Sequence, residues 1–341
     1  MKYEAVTIKD IAKALGLSTS TVSRALRDSY EISPDTKRLV MEYAEKINYQ
    51  PNPIALSLKE KKSHTIGVIV GEIANSFFSQ IINGIESVAK AQNYNVIISQ
   101  SHESFDKEMS NLQYLTSRSI DGLLISVSAE TTDFSSFKEI SAKGMPMVFF
   151  DRIVDEIETH KVIADNFTGA YNATSHLIKK GYKRIATICN ASILSIAKER
   201  LAGYSAALTD NGVTPDEKMI RYCKHGGMFR DELEESLREL FSNKLKPDAI
   251  FASSDKITMG CLRILRSQGY KIPGDIGLIG FSNGEFTELL DPPLSVIMQP
   301  AFEMGQVATE MLLQLIESKN PVHVFETKVL STQMIVRGST K

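Results

Sequence analysis

Val6 to Leu26 reads VTIKDIAKALGLSTSTVSRAL, and this stretch decides the first unit of the chain. Ile8, Ile11, Ala12 and Leu15 recur at i, i+3, i+4 and i+7, which is one apolar face of a helix. Thr7 caps that helix in the pattern of a capping box, with Asp10 three residues on to reach back to it. Gly16 stops it, and Ser18 suits the cap of a second helix after a turn of a few residues. In that second helix Val22, Ala25 and Leu26 face inward, and Thr19, Ser20, Ser23 and Arg24 face outward. Ser33-Pro34 opens a third helix with proline at the first helical position, and its expected buried face is Leu39, Val40, Tyr43, Ala44 and Ile47. Two short helices joined by a tight glycine-containing turn and braced by a third form a helix-turn-helix. The second helix of that motif enters the DNA major groove, and its N-terminal residues reach base edges. Thr19 and Ser20 sit at that end, and Arg24, one turn on, suits guanine O6 and N7. The pattern alone also permits a small three-helix bundle that binds a protein.

Charge separates this stretch from the rest of the chain. The 341-residue chain has a net charge of −2, which by itself argues against nucleic acid. Residues 1–62 carry 11 Lys+Arg against 8 Asp+Glu, a balance of +3, and the remainder carries 28 against 33, a balance of −5. A basic headpiece on an acidic body implies that only the first part meets phosphate. No run reaches the ~18 apolar residues of a membrane span, and residues 1–7 lack the apolar core of a signal peptide, so a cytoplasmic protein without membrane contact is expected. Cys189, Cys223 and Cys261 are far apart in sequence and odd in number, which points to buried free thiols.

Three segments carry a family resemblance: Val6-Thr7-Ile8-Lys9-Asp10-Ile11-Ala12, Ser20-Thr21-Val22-Ser23-Arg24-Ala25-Leu26 and Tyr49-Gln50-Pro51-Asn52-Pro53. They resemble the headpiece signature of the lac-repressor (LacI/GalR) family, densely over residues 6–62 and more thinly to the end of the chain. The resemblance implies double-stranded operator DNA as partner, with Thr7, Ser18, Thr19, Ser20, Thr21, Ser23, Arg24, Ser33, Thr36, Tyr49, Asn52, Ala55 and Leu58 at that interface. Residues 51–62 are too short to hold as an isolated helix in water, and their local sequence also permits a plain charged linker. In the family such hinges pair, one from each subunit of a dimer, and fold in the minor groove. Leu58 matches the wedge leucine that opens a base step, and Ala55 the small position where the two hinges approach. The expected organisation is a helix-turn-helix domain over 1–50, a hinge over 51–62 and an effector-binding body over 63–341.

Beyond Ser63, short apolar runs alternate with amphipathic stretches. Strands are expected at Thr65–Val70, Asn95–Ser99, Gly122–Val127, Pro146–Phe150, Lys161–Ala164, Arg184–Ile188, Ala249–Ala252 and Ile276–Gly280, with one further strand-like run over Lys328–Val336. Such alternation predicts parallel sheets covered on both faces. The fold class is therefore an all-α helix-turn-helix headpiece plus an α/β body of two doubly wound lobes, similar to a periplasmic binding protein. The resemblance implies three crossings between the lobes, expected near Ile163, near Asp291–Leu294 and near Val322. The N-lobe would then comprise about 63–162 and 294–322, and the C-lobe about 163–292 and 323–341.

Ligands of doubly wound folds bind beyond the C-terminal ends of the strands, here between the lobes. Ile73, Phe77 and Phe78 follow the first strand, Ser126 ends the third, and Asp151 follows the fourth. By resemblance, Arg200 is the effector-binding arginine, Gln299 a polar contact on a crossover strand, and Phe77 and Phe78 belong to the loop that packs on the effector. Ser254, Ser282 and Asn283 complete the expected set. This chain has Gly280-Phe281-Ser282-Asn283 where the family has an aspartate at the position of Ser282, so either Asn283 compensates or the effector presents a different group. Gly227 stands where several members have an aromatic, with Met228 or Phe229 as candidate substitutes. A sugar or sugar derivative is the favoured effector, with a nucleoside or purine co-repressor as the alternative. No phosphate loop, nucleophile elbow or metal-spaced histidine pair occurs, so neither catalytic residues, nor a metal, nor a cofactor is expected. The function expected is that of an effector-controlled, homodimeric transcriptional repressor. An exported sugar-binding protein, which the body alone would permit, is the rival that the headpiece argues against.

Overall fold

The computed structural model describes residues 6–49, 62–242 and 244–341. The hinge assignments at Asn52, Ala55 and Leu58 lie outside the described residues. The chain divides into a unit ending at His64 and a unit running from Thr65 to Lys341.

The first unit is three helices, α1 (Ile8–Leu15), α2 (Thr19–Ala25) and α3 (Pro34–Lys46). At the start of α1 the Asp10 carboxylate accepts from the Thr7 backbone N–H at 2.8 Å and from the Thr7 hydroxyl at 2.7 Å. Gly16 ends α1 at φ 63°, in the left-handed region where a Cβ is penalised. Ser18 Oγ accepts from the Thr21 N–H at 3.0 Å and Ser33 Oγ from the Thr36 N–H at 3.3 Å, so each of the next two helices starts on a serine cap. Ile11, Ala12, Val22, Ala25, Val40 and Ala44 form the small core. Leu39, expected in that core, is 48% exposed: Val40, Tyr43, Ala44 and Ile47 already complete the stripe, and the side chain one residue earlier points about 100° away from it.

From Thr65 the chain alternates through β1 (Thr65–Val70), α4 (Ser76–Ala91), β2 (Asn95–Gln100), α5 (Phe105–Ser117), β3 (Gly122–Ile125), α6 (Ser135–Ala142), β4 (Met147–Phe150) and β5 (Lys161–Ala164). Next come α7 (Asn166–Lys179), β6 (Ile185–Cys189), α8 (Ser195–Asp210), β7 (Ile220–Tyr222), α9 (Arg230–Ser242), β8 (Ala249–Ala252), α10 (Asp255–Ser267) and β9 (Gly277–Phe281). The last elements are β10 (Ser295–Met298), α11 (Ala301–Glu317), β11 (Thr327–Leu330) and β12 (Gln333–Ile335). The strands form two sheets, ordered β11-β5-β4-β3-β1-β2 and β12-β10-β9-β8-β6-β7. Every pair is parallel except β10 with β12.

Alternate residues of each strand feed opposite faces, as a parallel sheet buried on both sides requires. In β4, Val148 and Phe150 join the core shared with α4 and α11, and Met147 and Phe149 the core shared with α5 and α6. In β8, Ile250 and Ala252 pack with α9 and α10, and Ala249 and Phe251 with α7 and α8. Close helix contacts rest on glycine: a Cβ on Gly84 of α4 would lie 2.1 Å from the Phe302 carbonyl oxygen, and one on Gly305 of α11 2.1 Å from that of Ile81.

The second and third crossovers fall later in the chain than expected. Boundaries at residues 294 and 322 put Ser295–Met298 in the N-lobe and the whole run Lys328–Val336 in the C-lobe. Pairing instead sets β10 beside β9 in the second sheet and β11 beside β5 in the first. The chain therefore crosses after Ala164, again between Met298 and Ala301, and a third time between Leu330 and Gln333, inside what reads as one apolar run. Periodicity identifies a strand but not its partner. Strand β7, whose three residues are all partly exposed, gives no apolar signal to read.

Candidate functional site

In the first unit, Thr19 and Ser20 are exposed at the N-terminus of α2. The hydroxyls of Ser20 and Thr21 lie 2.9 and 2.8 Å from that of Ser18, so the cap serine orders its neighbours. Ser23 is engaged by Arg27, whose Nη2 donates to the Ser23 hydroxyl at 2.9 Å. Arg24 is half-exposed and pairs with Glu31 at 3.2 Å. A surface pair of this kind holds about 0–1 kcal/mol, so the guanidinium is oriented without being locked. Thr7, Ser18 and Ser33 are exposed helix caps, Thr36 is half-buried, and Tyr49 is half-buried against the core. The exposed cap hydroxyls and the helix N-termini present donors suited to phosphate.

In the second unit the expected effector residues divide into three groups. Phe77 and Phe78 are core side chains of the first lobe, with ring centroids 5.3 Å apart, and Ile73 lies on the exposed rim. Ser126 Oγ, Ser254 Oγ and Gln299 Nε2 are buried with no hydrogen-bond partner among the described residues. These atoms stand at strand ends and at a crossover, where a ligand would satisfy them. Asp151, Arg200, Ser282 and Asn283 are bound into networks.

Arg200 lies on α8, almost fully buried. Its Nε donates to Asn166 Oδ1 at 2.8 Å, its Nη1 donates to the Ser253 carbonyl, and its guanidinium sits 3.8 Å over the Phe281 ring. Burial pulls its pKa down to about 10, against the opposing charges of Asp151 and Glu199. Asp151, at φ 59°, is also buried, and aspartate is among the few residues that accept this left-handed conformation. Desolvation raises its pKa above the ordinary carboxylate value, while Arg152 and Arg200 oppose the rise. The site thus holds a buried carboxylate with the Arg152 Nε 3.9 Å away and the positive charge of Arg200 acting on it through space.

The Asn283 side-chain amide is engaged by neighbouring protein groups. Its Oδ1 takes the Gln299 N–H at 3.1 Å, and its Nδ2 donates to the Gln299 carbonyl at 2.8 Å and to Gln80 Oε1 at 2.9 Å. Ser282 donates to Asp255, so the negative charge sits one side chain further back than in the family pattern. Gly227 has φ 84°, and a Cβ there would meet Ile257 at 3.0 Å. Phe229 is exposed and packs edge-on against His225.

Several residues of the cleft escape sequence reading. Gln80 on α4 donates to the Asn283 carbonyl at 3.1 Å as well as accepting from its amide, which ties the lobes together. Glu72 and Lys256 make an ion pair across the same cleft. Glu103 pairs with Arg152. Glu108 accepts from the Ser128 N–H and the Thr131 hydroxyl, both at 2.6 Å, and burial raises its pKa to about 7. Only their three-dimensional neighbours distinguish these side chains from ordinary surface polar residues.

A helix-turn-helix unit ahead of a two-lobed body with a polar interlobe cleft defines a ligand-controlled transcription regulator. Residues 7–52 match the family "Bacterial regulatory proteins, lacI family", and residues 63–333 match "Periplasmic binding proteins and sugar binding domain of LacI family". The chain belongs to the LacI family. It is 33% identical over 338 residues to the HTH-type transcriptional repressor CytR of Escherichia coli K12, covering 99% of this chain and 97% of that protein. It is also 33% identical over 336 residues to the ribose operon repressor of Haemophilus influenzae, covering 98% of each. Among solved structures, the lac repressor dimer bound to operator and the anti-inducer ONPF aligns over 99% of both chains with TM-score 0.83 and 25% identity. The regulator CelR in complex with cellobiose aligns over 98% of this chain and 99% of that one, with TM-score 0.72 and 28% identity. These relatives are regulators, not enzymes. Among the described residues there is no cluster of metal-binding side chains, and no helix is long and apolar enough to cross a membrane.

Proposed function

We propose that the chain is a cytoplasmic, homodimeric transcriptional repressor whose operator affinity is set by a small hydroxylated effector bound between its lobes. The observation that carries this reading is the pairing, in one chain, of an exposed α2 N-terminus with a cleft that contains Asp151, Arg200 and the unpartnered atoms of Ser126, Ser254 and Gln299. Each headpiece offers few base-reading side chains, so a two-fold protein on a pseudo-palindromic operator, with half-sites about one helical turn apart, supplies the rest. Thr19, Ser20 and Arg24 read bases. Thr7, Ser18, Thr21, Ser23, Ser33, Thr36 and Tyr49 position the unit on the backbone. The family resemblance assigns Asn52, Ala55 and Leu58 to the minor groove. In the cleft, the buried carboxylate and the guanidinium groups near it favour a sugar ring, free or as part of a larger molecule.

Fluorescence anisotropy on labelled operator and random duplexes tests the proposal. Arg24→Ala is expected to lower discrimination against the wrong base at one position by about 1–3 kcal/mol while random-duplex binding falls less. Equal affinity of the native protein for operator and random DNA at physiological salt, with or without sugars and nucleosides, would refute it.

A further inference from the structure

Away from the cleft, helices α7 and α8 and strand β12 enclose a cavity of about 310 Å³. Helix α7 serves both places. Its first residue, Asn166, holds Arg200, whereas Tyr171, Ser175 and Lys179 follow at intervals of four, on one face that lines the cavity. His176 joins them from the same helix, Asp210 from the end of α8 and Met334 from β12. The Tyr171 phenol donates to Asp210 Oδ2 at 3.0 Å, and the half-exposed Phe167 stacks on the Tyr171 ring with centroids 6.3 Å apart, so that ring is held from two sides. Asp210 raises the pKa of the phenol, and the nearby Ser175 hydroxyl opposes the rise. Ser175 is only 7% exposed, and its Oγ is buried with no partner at hydrogen-bond geometry among the described residues.

We propose that this cavity is a second ligand site, for a free amino acid or similar small zwitterion whose carboxylate meets Lys179 and the Ser175 hydroxyl and whose ammonium meets Asp210. The site is separate from the cleft and does not depend on what the cleft binds. Charge sets the class of ligand. Among the side chains that line the cavity, Lys179 and Asp210 carry the charges, and neither makes an ion pair with another described residue. His176 adds none: burial, with Lys180 and Lys179 close by, lowers its pKa, and its Nε2 lies 2.8 Å from the Thr340 hydroxyl, so the ring is neutral at pH 7. A simple anion would face Asp210 and a simple cation Lys179, whereas a molecule that bears both charges is attracted at both ends. A carboxylate has about four acceptor positions, so Asp210 keeps room for an ammonium beside the Tyr171 phenol. A ligand carboxylate would give the buried Ser175 hydroxyl the acceptor it lacks. The Tyr171 ring and Met334 offer apolar surface to the ligand's carbon chain. Size agrees, because pockets for whole ligands begin at about 300 Å³ and this one therefore takes a small metabolite.

Isothermal titration of the full-length protein with each of the common L-amino acids tests the assignment, with acetate, methylammonium and glucose as probes that carry one charge or none. At least one amino acid is expected to bind with Kd below about 1 mM, and the three simpler probes at least about tenfold more weakly, the scale of one hydrogen bond to a charged group. Lys179→Gln and Asp210→Asn alter exposed side chains and leave the fold intact, and each is expected to weaken that binding by about tenfold or more. Ser175→Ala is expected to give a similar loss through the buried hydroxyl. If no amino acid binds, or if its affinity survives both Lys179→Gln and Asp210→Asn, the proposal falls. Acetate or glucose binding as tightly as the best amino acid overturns it as well, by making the cavity a simple anion site or a sugar site. Operator affinity without added amino acid is expected to be unchanged in both charge variants, so the function proposed above stands or falls separately.

Discussion

Replacing Arg200 with alanine removes a guanidinium that serves the fold as well as the cleft. Arg200→Ala deletes two hydrogen bonds and a cation–π contact at 3.8 Å, and it leaves Asn166 Oδ1 and the Ser253 carbonyl without that donor. It also leaves the buried Asp151 with Arg152 as its remaining close positive charge. Leaving each of two buried acceptors without its charged donor costs about 1–3 kcal/mol, and the lost ring contact adds to that. A central value of about 4 kcal/mol, at roughly 2–4 °C per kcal/mol for a large domain, lowers Tm by about 10 °C. Scanning calorimetry on Arg200→Ala, Asp151→Asn and the double variant separates the terms. If Asp151's charge is the source of the cost, Asp151→Asn recovers about 1–2 kcal/mol in the Arg200→Ala background and destabilises the native protein. The coupling is then well above the ~0.5 kcal/mol scatter of independent sites. Strict additivity of the two substitutions, or a stability loss below about 1 kcal/mol for Arg200→Ala, refutes the reasoning and makes Arg200 a contact for ligand alone.

Glu108 gives a pH signature. Its pKa is raised from 4.5 to about 7, chiefly by burial, so the folded state holds the proton more tightly than the unfolded chain. Its contribution is full below about pH 4.5 and is lost as pH rises to about 7, by roughly 3 kcal/mol in all. Urea midpoints taken across that window are expected to flatten in Glu108→Gln, and an unchanged slope rules Glu108 out as the source. Gly305→Ala forces a Cβ to 2.1 Å from the Ile81 carbonyl oxygen and is expected to cost about 3 kcal/mol, read as a lowered urea midpoint; a neutral result means that α4 and α11 are freer to separate than the structure shows. Gln80→Ala removes both hydrogen bonds to Asn283. It is expected to enlarge the radius of gyration measured by small-angle scattering on unliganded protein, and an identical scattering curve shows that the amide pair does not hold the lobes.

The sequence resolves what is local. Thr7 with Asp10, Gly16, Ser18 and Ser33-Pro34 each carry a cap or stop whose physics acts within four residues, and helices α1 to α3 form there. The strands with continuous apolar runs, such as Thr65–Val70 and Ala249–Ala252, appear at the expected residues because burial on both faces leaves an unmistakable pattern. What fails is non-local. Nothing in Lys328–Val336 announces that its two halves belong to different sheets, because the deciding partners, β5 and β10, lie elsewhere in the chain. The same holds for the cleft. Arg200 and Asp151 stand out as charged residues at structured positions, but Arg200's hold on Asn166 and Ser253 and Asn283's engagement with Gln80 and Gln299 depend on contacts between separate elements. Phe77 and Phe78 can serve as core or as ligand platform on sequence grounds, and the structure places both rings in the apolar core of the first lobe.

The contacts between the lobes also bound how regulation works. A ligand shifts an equilibrium between lobe arrangements only by the difference in its affinity for them. Two polar links cross the cleft without any ligand. The Gln80–Asn283 pair supplies two hydrogen bonds of about 1 kcal/mol each, and the Glu72–Lys256 pair, about a quarter exposed on each side, adds about 1 kcal/mol or less. Ala129 packing with Ala191, Leu194, Ile196 and Ala197 adds an apolar contact of the same order. Their sum, about 3–4 kcal/mol, is comparable to the 1–3 kcal/mol by which effectors commonly couple to a distant site. The arrangement is therefore held firmly enough to be specific and loosely enough for one ligand to decide it. A bound molecule that reaches both Asp151 in one lobe and Leu194 in the other reinforces these links, whereas one confined to a single lobe leaves them as they were.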